Sequence, residues 1–514
     1  MTKSRDIASK QSDASNNTTY GTSALAANTT GANNVAVGSL ALDANTVGYD
    51  NTAVGFNALT DNTTGIFNVS VGRNSLAANT TGRDNVAVGS YALATNTIGV
   101  NNTALGHTSL RFNTTGNNNT AVGYQSLNVN TIGVENTAVG GLTLDANTTG
   151  YSNTAVGYGA LTSNTTGFEN SAFGYAALSN NTTGTNNTSI GRLSMQYNTT
   201  GSLNTALGTV SLQNNTTGEN NTAIGALALA ANTTGAQNTA VGAYALDTNT
   251  IGLWNTAIGV SAMTTNTTGS YNTAVGYEAM GLNTTGYNNT AVGRQALRAN
   301  TIGNQNSAFG NEALVNNTTG SANTAVGTFA LLNNTTGANN VAVGQYSLSA
   351  LTNGGGNTAV GTNAGSNTTT GNYNSSIGWD AKPSSATVSG EFTLGDANVN
   401  NLRCNDTSIS SLSDGRDKTD VIDSPYGLDF LNAIKVRQYK WATREGNAKD
   451  GLTRLGFIAQ ELLEVAGQDN DVLDLVYEEN PDRLEAKYGN LIPVLAKAIQ
   501  ELSAKVAELE AKVN

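Results

Sequence analysis

The chain has 514 residues and a formal net charge of −12, with 12% charged residues, 6% aromatic residues and 58 glycines. That balance excludes a nucleic-acid rod, which would need basic stripes along its length. A single cysteine, Cys404, and a single histidine, His107, exclude an intrachain disulfide and a Cys- or His-built metal centre within one chain.

The opening residues, MTKSRDIASKQSDASN, are basic in part but lead into no apolar run, so no secretory signal is expected. No stretch is apolar enough for long enough to span a bilayer, so no membrane insertion is expected either. Residues 1–33 read as an N-terminal segment and a capping half-repeat.

From Asn34 to about residue 373 a 17-residue motif recurs without insertion or deletion: N-T-A-V-G-x-x-A-L-x-x-N-T-T-G-x-x. Its first Asn falls at Asn34, Asn51, Asn68, Asn85 and onward to Asn357, with a worn copy at Asn374. A fixed short period over so many copies predicts a solenoid in which each copy is one coil. The fold class is therefore mainly β, a parallel β-solenoid or β-roll over residues 34–378. The Asn-Thr-Thr triplets match the glycosylation pattern but follow from the repeat.

Alternation within N-T-A-V-G places Thr and Val on one side and Ala and Gly on the other. The A-L pair reads as the start of a second short strand, and the Gly closing N-T-T-G as a turn residue at positive φ. Stacking at ~4.8 Å per coil would give a rod on the order of 100 Å long, with the repeated Asn side chains bonding as ladders. One Val and one Leu per coil, with Met195, Met263 and Met280 as substitutes, make a small core. So small a core predicts lateral association of chains, with the Ala/Gly side as the contact face.

Motif positions 6–7 and 16–17 vary and so should face solvent. They carry aromatic residues, of which Tyr151, Phe168, Trp254 and Tyr271 are candidate glycan contacts through ring stacking. Asp50 and Asp84, like Glu135 and Glu169, share position 17 two coils apart, ~9.6 Å by the coil rise and at the outer limit for an inverting glycosidase pair. No pocket is built around them, so catalysis on the rod is not expected, and neither a cofactor nor a metal is.

The array then wears out. Gly354, Gly355 and Gly356 replace the usual turn, Gly365 replaces the Leu, and Lys382-Pro383 is expected to break the frame. Residues 379–412 read as a β-rich tip or linker. Residues 413–514 are rich in charge and form a separate small α+β domain. Its end carries a heptad through Tyr488, Ile492, Leu495, Ile499, Leu502, Val506, Leu509 and Val513, a coiled-coil seam.

Ser413-Asp414-x-Arg416-x-Lys418, Gly427-Leu428-Asp429-Phe430, Tyr439-Lys440-Trp441, Gly456-Phe457-Ile458-Ala459-Gln460-Glu461 and the closing helix occur in this order. Together they resemble the intramolecular chaperone auto-processing domain that ends many phage tail fibres and tailspikes, including endosialidases, and occurs in myelin regulatory factor. The repeat array is similar to repeats of phage fibres and, more loosely, to the β-roll heads of trimeric bacterial adhesins. The resemblance implies a domain that trimerises, templates the fibre and cuts itself off at Leu412–Ser413, with Ser413 as nucleophile and Lys418 as base.

The chemistry is sound alone. A serine hydroxyl needs a base to take its proton, and a lysine is a base only when burial or its neighbours make it neutral. Asp417 stands where the family usually has an apolar residue, with Asp420 nearby, and a carboxylate there would favour charged lysine.

The reading is a homotrimeric phage tail fibre, made in the host cytoplasm and resident in the virion. It would meet a host glycan or protein receptor, and other tail proteins at its N-terminus. The alternative is a tailspike depolymerase acting on surface polysaccharide. A bacterial adhesin would need an anchor or export signal, and a transcription factor would need a basic DNA-reading region.

Overall fold

The computed structural model describes residues 11–12, 15–399, 402–403, 413–440, 452–478 and 484–513. The chain divides into two units, Met1–Thr328 and Phe329–Asn514.

The first unit is a parallel β-solenoid. Each coil contributes one three-residue strand at motif positions 2–4, such as Thr52–Val54, Val69–Val71 and Thr154–Val156. Neighbouring strands pair in parallel with a shift of one repeat, so that Thr154, Ala155 and Val156 face Ser171, Ala172 and Phe173. The coil pattern already holds at Asn17, whose side-chain oxygen accepts from the Asn34 backbone at 2.8 Å. Ahead of it, Gln11–Ser12 pairs antiparallel with Thr18–Tyr20 and so covers an otherwise open sheet edge.

The A-L side of the coil is not a strand. It is a run of turns in which positions 7, 9 and 17 are left-handed although few are glycine: Leu40, Leu42 and Asp50 have φ of 59°, 54° and 56°. Such residues cost about 1–2 kcal/mol each. They persist because the alternation aims peptide groups along the stack. Gly157 N donates back to Val139 O at 2.8 Å, Leu161 N forward to Ala177 O at 3.0 Å, and Glu169 N back to Tyr151 O at 3.1 Å.

The interior differs from the sequence expectation in its occupants. Ala36, Ala41 and Leu42 are fully buried, whereas Val37 at position 4 is not. The Ala/Gly side thus points into the coil and is not a surface between chains. Thr and Val point outward, because a coil this narrow has room inside the strand only for a methyl group. Where the strand Ala becomes Ser at positions 70 and 189, the facing turn residue is Ser as well: Ser70 and Ser75 hydrogen-bond at 2.5 Å, as do Ser189 and Ser194.

The remaining interior is polar. Asn51 Nδ2 donates to Asn34 Oδ1 at 3.2 Å, and Asn62 Nδ2 to Asn45 Oδ1 at 2.9 Å, two ladders that run coil to coil. Both ladders meet on one carbonyl, for Gly48 O accepts from Asn34 Nδ2 at 2.9 Å and from Asn45 Nδ2 at 3.0 Å. This explains the glycine closing N-T-T-G. It lies outside the positive-φ region, and a Cβ on Gly48 would strike the Gly65 carbonyl and the Asn45 side chain. The positive φ belongs to the other glycine, Gly38 at 136°.

The second unit has strands of the same kind, Val341–Val343, Thr358–Val360, Ser375–Ile377 and Phe392–Leu394. Lys382-Pro383 does not break the frame. It lies on the turn side, and Glu391 N still donates to Asn374 Oδ1 one repeat away at 2.9 Å. The solenoid thus runs past residue 378 into what reads in sequence as the tip.

Beyond it, residues 413–513 form a small α+β domain. Helices α1 (Leu428–Ala433), α2 (Ala459–Ala466), α3 (Asn470–Leu473) and α4 (Leu491–Val513) pack with two antiparallel strand pairs. The pairs are Arg437–Tyr439 with Arg454–Gly456, and Val476–Tyr477 with Glu485–Ala486. Its core is Leu462, Ala466, Leu475, Val476 and Leu491, with Phe430, Ile434 and Phe457 against them.

Asn153 tests the ladders. It donates to Asn136 Oδ1 and to Gly167 O, and accepts from Asn170 N and Nδ2, all between 2.9 and 3.1 Å. Asn153→Ala leaves buried partners unmet and should cost on the order of 2–5 kcal/mol. Urea unfolding should show this as a lower midpoint, whereas a substitution at the exposed Tyr158 should leave the midpoint in place.

Candidate functional site: the Ser413–Lys418 turn

The segment Ser413-Asp414-Gly415-Arg416-Asp417-Lys418 folds on itself because Asp414 caps a one-turn 3-10 helix, Gly415–Asp417. The Asp414 carboxylate accepts from Arg416 N at 2.9 Å and pairs with the Arg416 guanidinium. That guanidinium holds the Asp414 carboxyl below its usual range, and Asp414 in turn raises Arg416. The turn brings the chain back on itself, so that Lys418 Nζ donates to Ser413 Oγ at 2.6 Å. The two candidate catalytic side chains are therefore in hydrogen-bond contact, as a nucleophile and its base must be.

Both are exposed, as are Asp417 and Asp420. Among the described residues nothing buries Lys418. Asp414 is occupied by Arg416, and among the described residues no ion pair joins Lys418 to Asp417 or Asp420. Leu412, on the acyl side of the candidate scissile bond, lies outside the described residues, as do Cys404 and Trp441.

The other motifs hold the domain together. Glu461 accepts from Arg437 Nε at 2.8 Å and from Nη2 at 2.6 Å. Phe457 meets Tyr488 edge-on at 5.2 Å, and its N–H donates to the Tyr488 hydroxyl at 3.2 Å. A contact that sequence spacing could not reveal ties α4 to α1. Glu501, in the middle of α4, accepts from Leu428 N at 2.8 Å and so caps α1 from 73 residues away. Gly427 leaves room for that carboxylate, which a Cβ would strike.

Helix α4 has two apolar faces. Leu491, Val494 and Ala498 are buried in the domain. Ile492, Leu495, Ile499, Leu502, Val506 and Leu509, the heptad seam of the sequence, all face outward, with Ile499 65% exposed.

On the solenoid, Tyr151 and Phe168 stack on each other at 4.7 Å, and Trp254 and Tyr271 at 4.9 Å. Each ring thus gives one face to its neighbour. Tyr271 also lines a shallow cavity of about 560 Å³ with Thr268, Ser270, Thr285, Tyr287 and Asn288. The carboxylate pairs are separated by the coil between them, with Phe67 between Asp50 and Asp84 and Ser152 between Glu135 and Glu169. Asp84 is engaged by Arg83 at 3.3 Å, and Glu135 accepts from Ser152 Oγ at 3.2 Å.

Residues 413–473 match a family described as the chaperone of endosialidase. The match opens on Ser413 itself and covers α1 to α3, leaving α4 beyond it. No curated protein and no solved structure matches the chain. A chaperone-of-endosialidase region behind a β-solenoid fits a tail fibre or an endosialidase-type protein.

The Glu501 cap gives a test of the tie between α4 and α1. Glu501→Ala should weaken the start of α1 by about 1 kcal/mol. Hydrogen exchange on the full chain should show faster exchange at Leu428, with Leu462 in α2 unchanged.

Proposed function

We propose that this chain is a phage tail fibre whose C-terminal domain assembles three copies, directs the folding of the shaft and then cleaves itself away at Leu412–Ser413. The observation that carries the reading is the contact between Lys418 Nζ and Ser413 Oγ at 2.6 Å, at the first residues of the chaperone-of-endosialidase match. In the proposed step Lys418 takes the proton of Ser413 Oγ, which attacks the Leu412 carbonyl carbon. The Leu412–Ser413 C–N bond breaks, the Ser413 nitrogen leaves as an amine carrying a proton, and the resulting ester is hydrolysed by water. Assembly supports this chemistry if a neighbouring copy covers Lys418, since desolvation disfavours its charged form.

The outward heptad of α4 supports self-association, because seven apolar residues at heptad spacing, Ile492 to Val513, face away from their own domain. The shaft would carry receptor contacts on its variable positions, with Tyr271 and its cavity the best-formed of the four aromatic candidates. The fibre would join other tail proteins through its N-terminal segment. Once the template is gone the shaft cannot retrace its folding path, so its persistence becomes kinetic.

Purified wild type should run as fragments 1–412 and 413–514, with the shaft trimeric by sedimentation. Ser413→Ala and Lys418→Met should stay whole while still assembling, and Asp417→Val should cleave faster. A trimer that never splits in wild type removes the self-cleavage and leaves the domain as an assembly cap.

A further inference from the structure

Position 4 of the coil is outward-facing yet never polar. From Val37 to Val326 it holds only Val, Ile, Leu or Phe, once per repeat and without exception. Position 6, also outward, passes through Tyr175, Arg192, Thr209 and Ala226 in successive coils. None of the position-4 side chains is buried, and Leu105 is 47%, Phe173 39% and Val326 39% exposed. Strand propensity does not explain the restriction. Position 2, on the same strand and the same side, accepts Thr, Ser and Val alike, as at Thr52, Val69 and Ser171, so Thr would serve a half-exposed strand equally well.

The column is long. At ~4.8 Å per coil it extends about 80 Å, and at the ~7 Å spacing of same-face residues along a strand it offers about 550 Å², near the lower end of one partner's share of a stable interface. Monomeric proteins rarely expose a continuous apolar patch above a few hundred Å².

We propose that the position-4 column is the face along which the shaft packs against further copies of the same chain. A partner must present an apolar group at every rung, at the spacing of a strand ladder. A helix advances 5.4 Å per turn and drifts out of step within a few coils. A second copy has the matching rise by construction. This inference rests on the homo-oligomeric fibre reading and names its shaft interface, in place of the Ala/Gly side that the structure turns inward.

The test uses the full chain with Cys404→Ser, so that one introduced thiol reports. Val139→Cys sits in the column, and Asn180→Cys sits on the turn side of a nearby coil. In the assembled protein Cys at 139 should react with a soluble maleimide about tenfold or more slowly than Cys at 180, as a group in an interface core does. Both should react at one rate after denaturation. Separately, Val139→Lys with Phe173→Lys should reduce the sedimenting mass or its resistance to detergent, and Tyr158→Lys with Tyr175→Lys at position 6 should not. An oligomer in which the thiol at 139 reacts as fast as that at 180 overturns the proposed face and leaves the oligomeric fibre standing. A monomeric wild type overturns both.

Discussion

The double amide ladder is the constraint on which the solenoid depends. A coil whose interior is Ala, Ala and Leu has little apolar material to bury, and the rest of the space is filled by two fully buried Asn side chains. Buried amides are costly when unpaired and rigidifying when every donor and acceptor is met. Here they are met because a single glycine carbonyl takes one hydrogen from each ladder, as Gly65 O does from Asn51 at 2.9 Å and Asn62 at 3.0 Å. The glycine must lack a side chain, the two Asn must sit at fixed places, and the next coil must repeat both. One inserted residue would set an amide opposite a methyl group. That is why the array tolerates Phe, Arg, His or Gly at position 6 but no change of length.

A ladder of this kind has no meaning within one coil. Each amide donates to one neighbour and accepts from the other, so a coil folds only against a coil already folded, and the ends are the weak points. The termini carry matching devices. At the head an antiparallel strand, Gln11–Ser12, takes the place of a further parallel coil. At the tail the second ladder gives way to the buried Leu351, and the first ends where Glu391 replaces Asn. A carboxylate accepts but cannot donate, and this one is occupied by Ser384 N at 2.9 Å, Ser384 Oγ at 2.6 Å and Thr393 Oγ1 at 3.1 Å. The first ladder is thus closed off rather than left open for another copy to extend. A structure that gains stability only by adding coils also explains why a folding domain at the end of the array would be useful, since the first coils form at a net loss.

The period, the parallel stacking and the Asn ladders were legible because they follow from exact repetition. What faced inward was not. Alternation fixes that Ala and Val lie on opposite sides of a strand but not which side is the interior, and the usual preference for burying the larger residue gave the wrong answer. Coil width decides it, and width is set by the turn side, where the A-L pair has the pattern of a strand but the conformation of a turn. Evidence for the left-handed positions was present in the worn and variant copies: Gly159, Gly356 and Gly365 occupy positions 7, 17 and 9, with φ of 68°, 72° and 62°. These glycines mark the positions where Leu and Asp adopt the same conformation at greater cost. In the C-terminal domain, Ser413 and Lys418 could be named from the motif, but the Asp414-capped turn that brings them together was not read from it. The Glu501 cap could not, because nothing in local pattern connects residues 73 apart.

The Ser413–Lys418 pair has the contact that a base and a nucleophile require, on an exposed turn. To act as a base the lysine must be neutral, which burial favours, and among the described residues nothing buries it. The same domain presents an apolar heptad on α4 that its own core leaves uncovered. Helix α4 is tied to α1 by Glu501, and α1 is the next helix in sequence after the Ser413–Lys418 turn. If the heptad is satisfied by other copies, the segment bearing Ser413 is drawn into the same assembly, and the cover for Lys418 arrives with them. Reactivity would then depend on association rather than on the fold of one chain, so a lone or misassembled subunit would keep its folding domain attached.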